Sequence, residues 1–453
     1  MKNNKANILT QGSIIKALIR LSIPLILTNI LQTAYNLIDT FWVGRLGKIS
    51  VAAVSLSFPI IFIIISLGSG LAVAGSILVA KRKGAQDMQA VTHISSQTFF
   101  SVFFASLLLA LAGYVTTPVL VGIMKSSPEV FAEAVAYLKI SFLGLPAMFI
   151  YVTFQSLMRS VGDVILPFYI VLATVLLNLA LDPLFIFGWK GILNPYGVRG
   201  AAIATILTQL LGAVISLYFM LKGHKGIHVK IKDFLPDYTL IKQMFRLGMP
   251  VSIEQISRAT GIFVMVMLVA HFGTLALASY GIGSRILSFI IIPAFGLGMA
   301  TSTLVGQNIG AKEHERVKKT LKLSLSIAFG ILSFFGILFY LYAPVIARIF
   351  IPDDTLTIAE SSIFIKHLAV SFGFLGILIV LIGAFRGAGK TQISMLLALF
   401  SVWILRFPLA YYLSYHTSLQ VRGIWLSYPV TNIVTALAGL TILVKYKWLS
   451  QTD

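Results

Sequence analysis

The chain has 453 residues, 58% of them hydrophobic and only 11% charged, with a mean hydropathy of +0.93. A soluble globular domain carries about 25% charged residues, so this composition excludes one and points to a polytopic membrane protein. The net charge of +20 would suggest a nucleic-acid partner on a soluble chain. Here the basic residues sit mostly in short loops between apolar stretches, so no nucleic-acid binding is expected. The absence of cysteine excludes disulfides and thiolate metal centres.

In chain order, apolar runs predict twelve membrane-spanning helices, approximately at 17–38, 51–80, 93–116, 131–157, 164–188, 199–221, 246–270, 279–306, 320–342, 360–385, 392–413 and 423–444. Each is long enough to cross the hydrocarbon core as a helix, and none shows the short alternating pattern of a membrane β-barrel. No small-residue cleavage site follows the first run, so it is expected to be retained. Basic segments occur at Lys2, Lys5, Lys16 and Arg20, at Lys81-Arg82-Lys83, from Lys222 to Arg246, from Lys312 to Lys322, and at Lys445 and Lys447. They alternate with poor ones around Lys125, Lys190, His271, Arg348 and His416. The positive-inside rule then places both termini in the cytoplasm of a multi-pass plasma (inner) membrane protein. The polar, basic stretch after the sixth span reads as a cytoplasmic linker with room for a short interfacial helix. This gives an N-terminal six-helix lobe at 1–222, a linker at 223–243 and a C-terminal six-helix lobe at 244–453.

The two lobes repeat one another. Arg20-Leu21-Ser22-Ile23-Pro24 returns as Arg246-Leu247-Gly248-Met249-Pro250 at offset 226, and Gly84-Ala85 returns as Gly310-Ala311 at the same offset. Arg159-Ser160-Val161-Gly162 corresponds to Arg386-Gly387-Ala388-Gly389 at 227, and Val198-Arg199-Gly200 to Val421-Arg422-Gly423 at 223. Half-chain repeats in a membrane protein commonly enclose a central path near the bilayer midplane, and six spans per half gives both halves one orientation.

Ionisable groups at membrane depth are costly and therefore face a cavity or a partner. Thr28, Gln32, Tyr35 and Asp39 share one face of the first span, and Asn178 and Asp182 share a face of the fifth. Thr205 and Gln209 add a polar pair in the sixth. Together with Asn36 these residues are expected to line a polar pocket in the N-terminal half. Two carboxylates in one apolar pocket cannot both ionise cheaply, so the pair suits a proton, or Na⁺ held by Asp39, Asn178, Asp182 and Thr205. Helix capping by Asp39 and a local backbone role for Asp182 before Pro183 are the structural alternatives. Asp39 maps onto Met265 and Asp182 onto about Ala410, so the C-terminal half lacks the acid pair. It carries Glu254 and Arg258 instead, four residues apart, as a self-neutralised salt bridge or a substrate contact, with Arg406 a second candidate partner for Glu254. Ala384 to Thr391 nearly spells a phosphate-binding loop, but its first glycine is Ala384 and no strand precedes it. No nucleophile–base signature stands out, and no enzymatic activity is expected.

Several motifs taken in order resemble the MATE family of multidrug exporters, closest to its DinF-like branch. They are Pro24, the Tyr35-to-Gly44 run with Asp39, Asn178-x-x-x-Asp182-Pro183-x-x-Ile186-Phe187-Gly188, Gly200 to Thr205, Val305-Gly306-Gln307-Asn308-x-Gly310-Ala311, and Arg386-Gly387-x-Gly389. The resemblance implies an all-α, V-shaped pair of six-helix lobes that exports organic, often cationic compounds in exchange for H⁺ or Na⁺ and needs no other cofactor. It implies Asp39, Asn178, Asp182 and Thr205 as the cation site, and it favours a monomer in the lipid bilayer. Glu254 matches an acidic position of the NorM-like branch, whose tenth-span acid has no counterpart between Ile363 and Gly383 here. The alternative is a lipid-linked oligosaccharide flippase of the same superfamily. That would call for internal arginines for a pyrophosphate, which the N-terminal spans almost wholly lack.

Overall fold

The structure, a computed structural model, describes residues 9–189 and 192–445. Lys2, Lys5, Lys190, Lys447 and the two chain ends, which bear on the predicted topology, lie outside the described residues. Six long helices build the first repeat: α1 Ile14–Gly44, α2 Lys48–Gly84, α3 Met88–Ile123, α4 Pro128–Ser160, α5 Ile165–Phe187 and α6 Val198–Lys222. The second repeat holds α7 Tyr238–Ala270, α8 Thr274–Gly310, α9 His314–Leu341, α10 Ala343–Phe350, α11 Thr355–Val370, α12 Phe372–Gly387, α13 Thr391–Leu399, α14 Phe407–Tyr415 and α15 Val421–Lys445.

Among the described residues eleven stretches are long and apolar enough to cross a membrane singly. The twelfth expected span, at 360–385, is the pair α11 and α12, bent by 51° at Ser371. The span at 392–413 is interrupted as well: a π-helical segment, Phe400–Arg406, lies between α13 and α14. The short amphipathic α10 was not expected from the sequence. It sits between the ninth and tenth spans, where Pro344 opens a new helix at a favoured first-turn position.

Contacts divide the chain into two compact units, Leu27–Ser252 and Met1–Ile26 with Ile253–Asp453. The divisions therefore fall inside α1 and α7, just beyond Pro24 and Pro250. They are repeat-equivalent positions, related by the same offset of 226 as the two prolines. Each proline removes one rung of its helix's hydrogen-bond ladder.

Within the Leu27–Ser252 unit, Phe142, Phe149 and Phe154 are fully buried among α2, α3 and α4. Gly68 makes that packing fit, because a Cβ there would lie 2.2 Å from the Phe149 ring. In the other unit Trp425, Phe364 and Tyr280 stack, with 4.0 Å between the Trp425 and Phe364 rings. The Trp425 indole N–H donates to Glu360 at 2.7 Å. Gly383 meets Gly298 backbone to backbone, and a Cβ on Gly383 would sit 2.2 Å from the Gly298 carbonyl oxygen.

The linker is bound to the protein surface instead of forming a free interfacial helix. It makes two short 3-10 turns, His224–Gly226 and Ile231–Phe234, and lies along the start of α3. The Gln97 amide donates to the carbonyls of Asp233 and Leu235, both at 2.8 Å, and accepts from the Asp237 N–H at 3.0 Å. His93 meets Asp233 and Asp237, both at 3.2 Å. Ser96 donates to the His228 carbonyl and accepts from the Lys230 N–H.

Candidate functional site

The residues expected to form the N-terminal site all belong to the Leu27–Ser252 unit. On α5, Asn178 and Asp182 are both 0% exposed, and the Asn178 amide donates to one Asp182 oxygen at 2.8 Å. Spacing of four residues on a helix stacks the two side chains on one face, which brings them within reach of this bond. The second Asp182 oxygen and the Asn178 carbonyl oxygen are buried and have no hydrogen-bond partner.

On α1, Tyr35 and Asp39 are partly buried, Thr28 is buried, and Gln32 and Asn36 are exposed. One oxygen of Asp39 is also buried without a hydrogen-bond partner. Asp39 and Asp182 lie close enough to feel one another's charge. Among the described residues neither carboxylate forms a salt bridge with a cationic side chain. The pocket is thus a pair of acids without a counter-ion.

α6 closes it. Tyr35 and Thr208 share a hydroxyl–hydroxyl hydrogen bond of 3.2 Å, and Thr208 donates to the Thr205 carbonyl at 2.8 Å. Gln209 reaches towards Gly144 of α4. Two participants escaped the sequence reading. Thr208 was findable, being nearly one turn beyond Thr205 on the same helix. Tyr137 of α4 is buried in one cluster with Val43 of α1, Ile186 of α5 and Ala201 of α6. No spacing singles it out in the sequence of its helix.

In the other unit Glu254 is 0% exposed and pairs with Arg258 at 3.0 Å and with Arg386 at 2.8 Å. Arg406 is not its partner. Arg406 instead donates to Thr431 at 3.2 Å and Asn432 at 2.8 Å. The Glu254–Arg258 pair is therefore neutralised locally, with Arg386 as an additional cation drawn from the Arg386-Gly387-x-Gly389 turn.

The family model described as MatE matches residues 24–184 and 250–412, two stretches whose starting points, Pro24 and Pro250, are equivalent positions of the repeat. The chain is 29% identical over 420 residues to the "Probable multidrug resistance protein YoeA" of Bacillus subtilis strain 168, covering 92% of this chain and 90% of that protein. It is 29% identical over 437 residues to the "Probable multidrug resistance protein NorM" of Thermotoga maritima, covering 96% and 93%. A solved structure described as "Outward-facing conformation of a multidrug resistance MATE family transporter of the MOP superfamily" superposes with a TM-score of 0.89 at 27% identity, covering 100% of each chain. These matches do not favour the flippase alternative. The all-helical fold, the duplicated match and the relatives agree, and the chain belongs to the MATE family of transporters.

Proposed function

We propose that this protein is a secondary-active antiporter of the plasma (inner) membrane that exports organic, often cationic compounds in exchange for H⁺. Na⁺ is the second candidate for the coupling ion. The protein works as a monomer with both termini in the cytoplasm and carries out no covalent chemistry. The names of its relatives support a drug-like cargo. The observation that carries the coupling reading is the uncompensated acid pair, Asp39 and Asp182, with unbonded buried oxygens on both residues and on Asn178. A buried carboxylate pair without a cation stabilises whatever positive species enters. For Na⁺, a hard cation, the oxygens of Asn178 and Thr205 would complete the donor set. Taking up the ion drives export only if the two access states bind it with different affinity. Asp39 on α1 is placed to transmit that difference, because α1 passes from one compact unit to the other at Ile26 and Leu27.

The test is efflux of a fluorescent organic cation from inverted vesicles under a pH gradient or a Na⁺ gradient imposed separately. Efflux driven by the pH gradient and lost in Asp39→Asn supports proton antiport through this pocket. Efflux driven by Na⁺ alone assigns the same residues to sodium. No efflux under either gradient, from vesicles that contain folded protein, would overturn the reading.

A further inference from the structure

The C-terminal repeat rebuilds the N-terminal pocket with the charge reversed. α6 and α15 are both 25 residues long and align at offset 223, so Thr205, Thr208 and Gln209 correspond to Tyr428, Thr431 and Asn432. Arg406 takes the place of Asn178 and Ala410 that of Asp182, both at offset 228. The preceding Arg159/Arg386 turn aligns at 227. The additional residue is absorbed in the π-helical segment Phe400–Arg406, whose wider i→i+5 turn accommodates it. Such segments occur frequently at functional sites, and this one ends on Arg406.

In the C-terminal repeat these counterparts converge. The Arg406 guanidinium binds Thr431 and Asn432 and lies over the Tyr428 ring at 4.5 Å. The Tyr428 hydroxyl meets that of Tyr280 at 3.0 Å. Asn432 in turn donates to Ser371, at the α11–α12 bend, at 3.0 Å. Of the five N–H donors of a guanidinium, two are used in these bonds, which leaves three without a hydrogen bond among the described residues. The charged neighbour of Arg406 is another cation, Arg258, whose side chain is 29% exposed. The carboxylate of Glu254 is already committed to Arg258 and Arg386. Glu254 therefore supplies no counter-charge to Arg406.

We infer that the C-terminal unit holds a binding site for an anionic oxygen group, a carboxylate or phosphate on an organic compound, centred on Arg406 with Arg258 beside it. A planar guanidinium with unused donors takes up such groups in a charge-assisted, bidentate manner. The remaining polar atoms of the site, from Thr431, Asn432 and Tyr428, hold Arg406 in place. The site is tested by equilibrium binding, whose readout does not depend on transport.

Full-length purified protein in a nonionic detergent would be titrated with dansylglycine and with its methyl ester, which differ in the carboxylate charge. Wild type is expected to bind dansylglycine about tenfold more tightly than the ester. Arg406→Gln should abolish that preference, so that the two probes bind alike, and Arg406→Lys should keep part of it. Displacement of dansylglycine by benzoate but not by phosphatidylglycerol would assign the site to soluble organic anions. Displacement by phosphatidylglycerol but not phosphatidylcholine would assign it to a lipid headgroup. Equal binding of the two probes by wild type would overturn the inference without recourse to any variant. So would a loss of both to the same extent in Arg406→Gln.

Discussion

The two repeats differ most at equivalent positions. Around α5 and α6 the N-terminal repeat places Asn178, Asp182, Thr205 and Gln209 and leaves an acid without a cation. Around the π-helical segment and α15 the C-terminal repeat places Arg406, Ala410, Tyr428 and Asn432 and leaves a cation without an acid. Both sites use the same two crossing helices, and in both a side-chain amide from the sixth helix of the repeat points to the fourth: Gln209 to Gly144, Asn432 to Ser371. Helix packing, which depends on volume and apolar surface, has kept the scaffold through the duplication. The polar content of the crossing has diverged to opposite sign. Scaffold and site chemistry are separable in this molecule, and each side of that comparison can be altered on its own.

The largest effect is expected from erasing the difference. Asn178→Arg places the C-terminal cation four residues before Asp182, where it supplies the counter-ion the acid lacks. Ion-driven efflux in vesicles should then fall by the full coupling factor, roughly 5–150-fold for a coupling free energy of about 1–3 kcal/mol. Asp182→Asn should lie at the upper end of that range. Asp39→Asn should lie below it, since Asp39 is only partly buried. An Asn178→Arg protein that still exports normally under either gradient would separate the acid pair from coupling.

A smaller effect separates the scaffolds. Gly298 and Gly383 touch through their backbones, whereas the equivalent N-terminal positions hold Ala72 and Ser156. Gly383→Ser must push α12 away from α8 and should cost about 1–3 kcal/mol, as overpacking does. It should lower the thermal unfolding midpoint in detergent. The reciprocal Ser156→Gly removes a side chain from a helix interior and should cost only about 0.5–1 kcal/mol. Equal destabilisation by the two would mean that the crossings are packed alike.

The spans and the duplication were legible in the sequence because apolar length and a fixed offset survive any detail of packing. The shared face of Asn178 and Asp182 was legible because both lie within one helix. What escaped depends on tertiary partners. Glu254 had two candidate arginines by sequence, Arg258 and Arg406, and the structure gives it Arg258 together with Arg386. The bend at Ser371 and the π-helical segment carry no glycine or proline signal at their centres. Tyr137 joins the pocket through its neighbours on other helices, which no spacing along α4 reveals. The linker looked like an independent amphipathic segment because its anchors, Thr92, His93, Ser96 and Gln97, read as the polar beginning of the third span.

The smallest effects concern how each repeat fastens the segment that precedes the other. Asn308 donates to the Leu9 carbonyl at 3.0 Å, and Gln97 to that of Leu235; Leu9 and Leu235 are themselves equivalent at offset 226. Gln97→Leu leaves two linker carbonyls unanswered. It should expose Lys230 and Lys232 to trypsin, at a local cost of about 1–3 kcal/mol. Asp237 adds less. The Leu240 backbone N–H, and then His93, hold its carboxyl below the usual carboxylate range. A depressed value means that the charged form is the one stabilised, so the contribution is present at neutral pH and fades as pH falls below about 4. The group is exposed, so Asp237→Asn should cost under about 1 kcal/mol at pH 7, read as slightly faster hydrogen exchange across the linker. At a pH acid enough to protonate Asp237 in the folded protein, the variant and wild type should exchange alike. A difference that persists there would assign the anchoring to packing of the linker on α3 and not to the Asp237 charge.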